Sequence, residues 1–120
     1  MARRILIVDD SGFQRTLIRG ILEDDFEVVG EAENGSEAVD LFEETRPDLV
    51  TMDIMMPDVN GIEATSDIKE RDPGTCVVMC TSVEQRDQMR QAVKAGADGY
   101  VTKPVEEDTL RSEVESALAS

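Results

Sequence analysis

Three aspartates stand where apolar segments end, and their positions are the first sign of chemistry. Asp9 and Asp10 directly follow the apolar run at 5–8, and Asp53 follows the segment 48–52. If these segments are parallel strands, their carboxyl ends meet in one crevice. Carboxylates that close together repel one another and remain ionised only when a cation joins them. The chain has no His and both cysteines fall in one apolar run, so oxygen ligands and Mg²⁺ or Mn²⁺ are favoured over zinc.

Two further side chains at segment ends could hold a phosphoryl group. Thr81 ends the fourth apolar run and Lys103 follows the fifth. A hydroxyl and an ammonium beside a metal-bound carboxylate match what a phosphoryl group requires. The sequence has no G-x-x-x-x-G-K-[ST] loop and no G-x-G-x-x-G motif, so no bound nucleotide is predicted. We therefore interpret Asp53 as a nucleophile that becomes an aspartyl phosphate.

The elements that position these residues alternate regularly along the chain. Strands are predicted at 4–8, 27–31, 48–52, 76–80 and 99–102. Apolar residues at helical spacing predict five helices, marked by Phe13, Leu17, Ile18, Ile21 and Leu22; Ala38, Val39, Leu41 and Phe42; Ile62 and Ile68; Met89 and Val93; and Leu110, Val114 and Leu118. Ser11 and Ser36 are predicted N-caps, and Gly96 a helix stop. This alternation predicts an α/β fold, a parallel sheet with helices on both faces.

Strand composition also predicts the strand order. The first, third and fourth strands are nearly continuous apolar runs, as expected of interior strands. The second is interrupted by Glu27, Gly30 and Glu31, and the fifth is short, so both belong at edges. The order 2-1-3-4-5, that of flavodoxin-like folds, places these two strands outside. It makes the first and third strands neighbours, which brings Asp9, Asp10 and Asp53 together.

Composition excludes several function classes. The 120 residues predict one domain, spanning 1–120, and 27 acidic against 12 basic residues give a net charge of −15 that disfavours nucleic-acid binding. No apolar run approaches the roughly 18 residues of a membrane span, and no signal-peptide pattern begins the chain, so we predict a cytoplasmic protein without membrane insertion. Cys76 and Cys80, about 13 Å apart along one strand, are predicted to be free thiols.

Four segments resemble the receiver domain of two-component response regulators. They are ILIVDDS (5–11), DLVTMDIMMPDVNG (48–61), CTS (80–82) and AGADGYVTKP (95–104). The resemblance implies that Asp9 and Asp10 hold Mg²⁺ with Asp53, the phosphoacceptor, and with the backbone carbonyl of Met55. It also implies that Thr81 is the switch hydroxyl, Lys103 the phosphate-pairing lysine and Tyr100 the switch aromatic. The Lys103-Pro104 bond is typically cis in that family.

The same resemblance implies how the protein signals. The receiver fills the chain, which is similar to the single-domain chemotaxis regulators of the CheY type, archaeal members especially. We therefore expect a monomer that is not an enzyme in its own right. Its expected partners are a sensor histidine kinase, a downstream motor or adaptor protein and a phosphatase.

The helix predicted at 84–94 has a thin apolar stripe, Met89 and Val93, and should be held loosely. The apolar side chains of Met55 and Val83 should flank the path of the hydrolytic water.

Other functions remain open at this stage. A phosphate sink or a relay receiver would carry the same residues. A metal-dependent phosphatase with an aspartyl nucleophile usually shows Asp-x-Asp after the first strand, whereas here the two acids are adjacent. A flavodoxin-like electron carrier would need a Ser/Thr-rich phosphate loop and aromatic residues to stack on the flavin, and the sequence shows neither.

Overall fold

The structure is a computed structural model that describes residues 2–56, 59–82 and 87–119. Within these residues, five strands and five helices alternate. They are β1 (Arg4–Val8), α1 (Gly12–Leu22), β2 (Glu27–Ala32), α2 (Gly35–Thr45), β3 (Leu49–Asp53), α3 (Gly61–Arg71), β4 (Cys76–Thr81), α4 (Met89–Ala95), β5 (Gly99–Thr102) and α5 (Glu107–Ala119). None of these helices in the described part of the chain is long and apolar enough to span a bilayer.

All neighbouring strands pair in parallel, in the order β2-β1-β3-β4-β5. The predicted α/β fold and strand order are thus confirmed. Every residue of β3 is buried, whereas only Ala32 of the six residues in β2 is buried. This difference reflects their places in the sheet, since an interior strand is covered on both faces and an edge strand is not.

The sheet separates two hydrophobic layers. On one face, α1 and α5 bury Ile18, Leu22, Leu110 and Val114 against the strands. On the other face, α2, α3 and α4 contribute buried residues that include Phe42, Ile68 and Ala92. The two layers share the strands but no helix. Strand residues alternate between them, because successive side chains of a strand point to opposite faces.

Helix ends agree with the sequence at two predicted positions and differ at a third. Ser11 caps α1, since its Oγ accepts a hydrogen bond from the Gln14 N–H, and Gly96 ends α4 in the left-handed region, with φ of 112°. The predicted cap at Ser36 is wrong. Asn34 caps α2 through a hydrogen bond from the Glu37 N–H to its Oδ1.

A close backbone contact explains why Asn34 rather than Ser36 caps α2. A Cβ atom at Gly35 would lie 2.1 Å from the carbonyl oxygen of Val59, in the loop that follows β3. Only glycine fits at this approach. The first helical residue is therefore packed against the loop after Asp53, which places the cap at the residue before it.

Periodicity overestimates the burial of two apolar side chains. Phe13 in α1 is 75% exposed and Val93 in α4 is 61% exposed. In α4 the fully buried residue is Ala92, and Met89 packs partly against the same layer. The first residues of the helix predicted at 84–94 lie outside the described residues, as does Val83. Within the described part, α4 spans seven residues and no side chain caps its N-terminus.

Candidate functional site

The three predicted carboxylates converge at the carboxyl edge of β1 and β3. Oxygen atoms of Asp9, Asp10 and Asp53 all lie within 4.8 Å of one another, the one such cluster of three acidic, Cys or His side chains in the described part of the chain. Asp9 and Asp53 are buried, whereas Asp10 is exposed at the mouth. The adjacency of β1 and β3 produces this arrangement, because it brings together residues 43 or 44 positions apart in sequence.

Lys103 supplies the positive charge in this crevice. Its Nζ lies 3.0 Å from Oδ2 of Asp9 and 3.5 Å from Oδ1 of Asp53. The Lys103 N–H donates to the Thr81 carbonyl oxygen at 2.7 Å, which ties the end of β5 to that of β4. Burial alone would lower the pKa of the Lys103 ammonium, but the hydrogen bond to Asp9 and the charges of Asp53 and Asp9 outweigh it, so the pKa is raised. Lys103 therefore stays charged.

One lysine does not neutralise three carboxylates. Burial, followed by the charge of Asp9, raises the pKa of Asp53 from 3.8 to about 6; Lys103 opposes this shift and Asp10 adds to it. The raised pKa shows that ionised Asp53 is destabilised by its surroundings. A further cation among the three carboxylates would relieve that cost.

The donor atoms present fit a hard divalent cation. Cys80 pairs in register with Asp53, but burial raises the pKa of the Cys80 thiol to about 12, so it stays protonated at neutral pH. Both cysteines are free thiols, as predicted. The cluster thus offers carboxylate oxygens only, the ligands that Mg²⁺ and Mn²⁺ prefer.

Local backbone contacts hold the acidic residues in place. The Asp9 N–H donates to the Ala32 carbonyl oxygen at 3.0 Å, and Asp9 Oδ1 accepts the Ser11 N–H at 2.9 Å. Behind Asp53, a Cβ atom at Gly61 would lie 1.9 Å from the Asp53 carbonyl oxygen. Glycine at the start of α3 thus allows the helix to pack directly on the end of β3.

Thr81 and Tyr100 border the same open cleft. The cleft, of about 650 Å³, lies between α4 and β5 and is also lined by Met89, Val93 and Thr102. Thr81 is buried and its hydroxyl donates to the Ser82 carbonyl oxygen at 3.3 Å. The Tyr100 ring is 53% exposed. The space between them could accept a moving side chain.

The remaining predicted features lie beside the crevice. Met55 follows Asp53 by two residues, with an exposed side chain whose sulfur lies 3.8 Å from Nε2 of Gln88. The Lys103-Pro104 bond is cis, as the resemblance implied.

Sequence reasoning missed one residue of the site, Arg15. Its Nη1 donates to the Asp9 carbonyl oxygen at 2.7 Å and its Nε to Oε1 of Glu31 at 3.2 Å. The only sequence signal is a basic residue in the first turns of a helix that begins beside two acids. That signal could not show which backbone group the side chain would reach.

Comparison with known proteins agrees with this geometry. Residues 5–115 match the family model of the response regulator receiver domain. The chemotaxis protein CheY of Halobacterium salinarum is 53% identical over 120 residues, which is 100% of both chains. The response regulator domain of Thermotoga maritima CheB has a TM-score of 0.92 at 34% identity, covering 100% of this chain and 98% of that one. A chain of the CheX-CheY-BeF3-Mg+2 complex from Borrelia burgdorferi has a TM-score of 0.89 at 30% identity, covering 95% of this chain and 87% of that one.

Proposed function

Since this chain belongs to the response regulator receiver domain family, we propose that it is a phosphorylation-switched signalling module with Asp53 as its phosphoacceptor. The observation that carries the proposal is the convergence of Asp9, Asp10 and Asp53 with Lys103 in one crevice. A buried carboxylate that is ionised at neutral pH, beside a fixed ammonium, is suited to attack a phosphoryl group.

The chemistry we propose is one phosphoryl transfer. An Oδ atom of ionised Asp53 attacks the phosphorus of a phosphohistidine on the kinase; the new O–P bond forms as the N–P bond breaks, and the imidazole nitrogen keeps the bonding pair. Mg²⁺, held by Asp9, Asp10, Asp53 and the Met55 carbonyl, would neutralise phosphoryl oxygens. Lys103 pairs with one of these oxygens, and the Thr81 hydroxyl donates to another.

The output we propose is a shift in the cleft between α4 and β5. When Thr81 turns from the Ser82 carbonyl oxygen toward the phosphoryl group, the space behind it opens for the Tyr100 ring. α4 can follow, because Ala92 is its only fully buried residue. A partner that prefers the inward ring then binds the phosphorylated protein more tightly, and its binding stabilises that state in turn.

The relatives support a role in chemotaxis. Relatives named as the chemotaxis protein CheY match nearly the whole chain, from Halobacterium salinarum at 53% identity to Bacillus subtilis at 44%. We propose a sensor histidine kinase as the phosphodonor, a motor or adaptor protein as the target, and a separate phosphatase. We also propose that residues 1–120 act as one cytoplasmic receiver domain in monomeric form.

Intact-mass analysis tests the chemistry. The protein is incubated with Mg²⁺ and a small acyl phosphate, beside the variants Asp53→Asn and Asp40→Asn, the latter on an exposed site of α2. Wild type and Asp40→Asn should gain one phosphoryl group, and Asp53→Asn none. EDTA should suppress the gain. Phosphorylation of Asp53→Asn to the wild-type extent would refute the assignment.

A further inference from the structure

Asp10 depends on the backbone for its position more than Asp9 does. The Asp9 carboxylate accepts hydrogen bonds from Ser11 N–H and from Lys103 Nζ. Asp10 makes no hydrogen bond or ion pair with any residue in the described ranges, and its side chain is exposed. Within these ranges, the Asp10 side chain is therefore located by the backbone, including the peptide unit that precedes Asp10.

Arg15 holds that peptide unit. The carbonyl oxygen of Asp9 belongs to the peptide that joins Asp9 to Asp10, and Arg15 Nη1 donates to it at 2.7 Å. Fixing this carbonyl fixes the rotation of the peptide plane, because the six atoms of a peptide are coplanar. The rotation of that plane, together with the φ angle of Asp10, sets the direction in which the Asp10 side chain leaves the backbone.

The guanidinium is itself held from its other side. Its Nε donates to Oε1 of Glu31 on the edge strand β2. Oε2 of Glu31 accepts a hydrogen bond from Arg19 Nε at 2.7 Å, so Glu31 is anchored independently of Arg15. The Arg15 side chain is 19% exposed. The planar guanidinium reaches Glu31 and the Asp9 carbonyl oxygen through two different nitrogens, whereas a lysine carries one ammonium nitrogen that cannot occupy both positions.

We propose that Arg15 is a positioning residue for the cation site: it orients the Asp9-Asp10 peptide so that the Asp10 carboxylate is preset for a small octahedral ion. This inference rests on the metal site of the proposed function. Mg²⁺ requires near-ideal octahedral geometry at short distances, whereas Ca²⁺ accepts variable geometry. Positioning by Arg15 should therefore matter for Mg²⁺ and much less for Ca²⁺.

The charge of Arg15 acts in the opposite direction. A cation this close to the crevice repels a divalent ion, so removing the charge would strengthen binding and mask the loss of geometry. Arg15→Lys keeps the charge and removes the fork, which isolates the geometric effect. Arg19→Lys is the matched control, because in the described part of the chain Arg19 binds the same Glu31 but makes no hydrogen bond to Asp9.

Titration calorimetry with Mg²⁺ and with Ca²⁺ tests the proposal. Loss of one hydrogen bond predicts that Arg15→Lys binds Mg²⁺ about three- to tenfold more weakly. Its Ca²⁺ affinity should change less than about twofold, and Arg19→Lys should keep both affinities within about the same limit. In the metal-free protein, the NMR amide signals of Asp10 and Ser11 should shift or broaden in Arg15→Lys and not in Arg19→Lys.

Each contrary result has a distinct meaning. Unchanged Mg²⁺ affinity in Arg15→Lys would overturn the inference. An equal loss of Mg²⁺ and Ca²⁺ affinity would also overturn it, because it would indicate general damage rather than lost positioning. Failure of the wild-type protein to bind Mg²⁺ would refute the metal site of the proposed function, and with it any role of Arg15 there.

Discussion

Replacing Asp53 by Asn should stabilise the metal-free protein at neutral pH. The pKa of Asp53 is raised to about 6 from a reference of 3.8, mainly by burial and by the charge of Asp9. The native state therefore binds its proton more tightly than the unfolded state does. Stability consequently falls as pH rises from about 4 to about 6, and the full penalty persists above that range.

The two pKa values of Asp53 set the size of this penalty. The shift of 6 − 3.8, at about 1.36 kcal/mol per pH unit, corresponds to at most about 3 kcal/mol. Asn cannot ionise, so the variant avoids the penalty but weakens the contact with Lys103, which lies 3.5 Å from Asp53. We expect a net gain of about 1 to 2 kcal/mol at pH 7.5 and none near pH 4.

Urea unfolding at a series of pH values, in EDTA, measures the effect. Asp40→Asn is the matched control, because it removes the same charge from an exposed position and should change stability by less than about 0.5 kcal/mol. Saturating Mg²⁺ should close the gap, since ligand binding stabilises the native wild type. A wild type as stable as Asp53→Asn at pH 7.5, or a difference between them that does not vary with pH, would refute the argument.

Three further predictions concern the switch, the core and the surface charge. The Thr81→Ala variant should still bind beryllofluoride on Asp53, where beryllofluoride stands in for the phosphoryl group. NMR should nevertheless show smaller activation shifts at Tyr100 and in α4 than in wild type. Shifts equal to those of wild type would contradict the proposed coupling between Thr81 and Tyr100. Thr51→Val should raise the free energy of unfolding by about 1 kcal/mol, because the fully buried Thr51 hydroxyl has no hydrogen-bond partner among the described residues. Thr65→Val is its control, since the Thr65 hydroxyl contacts Met79 sulfur at 3.5 Å; urea unfolding that shows no gain for Thr51→Val relative to it would count against this reasoning. The thermal midpoint of unfolding should rise with KCl concentration, because 1 M salt shortens the Debye length to about 3 Å and screens the self-repulsion of a chain with net charge −15. A midpoint that calorimetry finds unchanged between dilute buffer and molar KCl would contradict this prediction.

The fold and most of the site could be predicted because they depend on local patterns. Apolar runs predict the strands, and the polar residues of β2 predict that it is an edge strand. The strand order follows from these two patterns, and the strand order brings Asp9 and Asp53 together. Lys103 and Thr81 were predictable for the same reason, since each stands at a strand end.

The features that were missed depend on contacts between distant segments. Asn34 and Ser36 are both good capping residues, and the approach of Gly35 to Val59 decides between them. Helical spacing does not reveal that Phe13 faces solvent or that Ala92, rather than Val93, is the buried residue of α4. The contact of Arg15 with the Asp9 carbonyl oxygen requires the actual path of the side chain.

The division of the core by the sheet has a consequence for how a signal can spread. α4 packs in the layer that contains Phe42 and Ile68, whereas α5 packs with α1 on the opposite side. A displacement of α4 need not disturb the interdigitation of side chains around Leu110 and Val114. Because the sheet lies between the two layers, the layer that contains α4 can rearrange while the layer that contains α1 and α5 keeps its packing. In the proposed switch, a change that begins at Asp53 then costs less free energy, because it is confined to one side of the sheet.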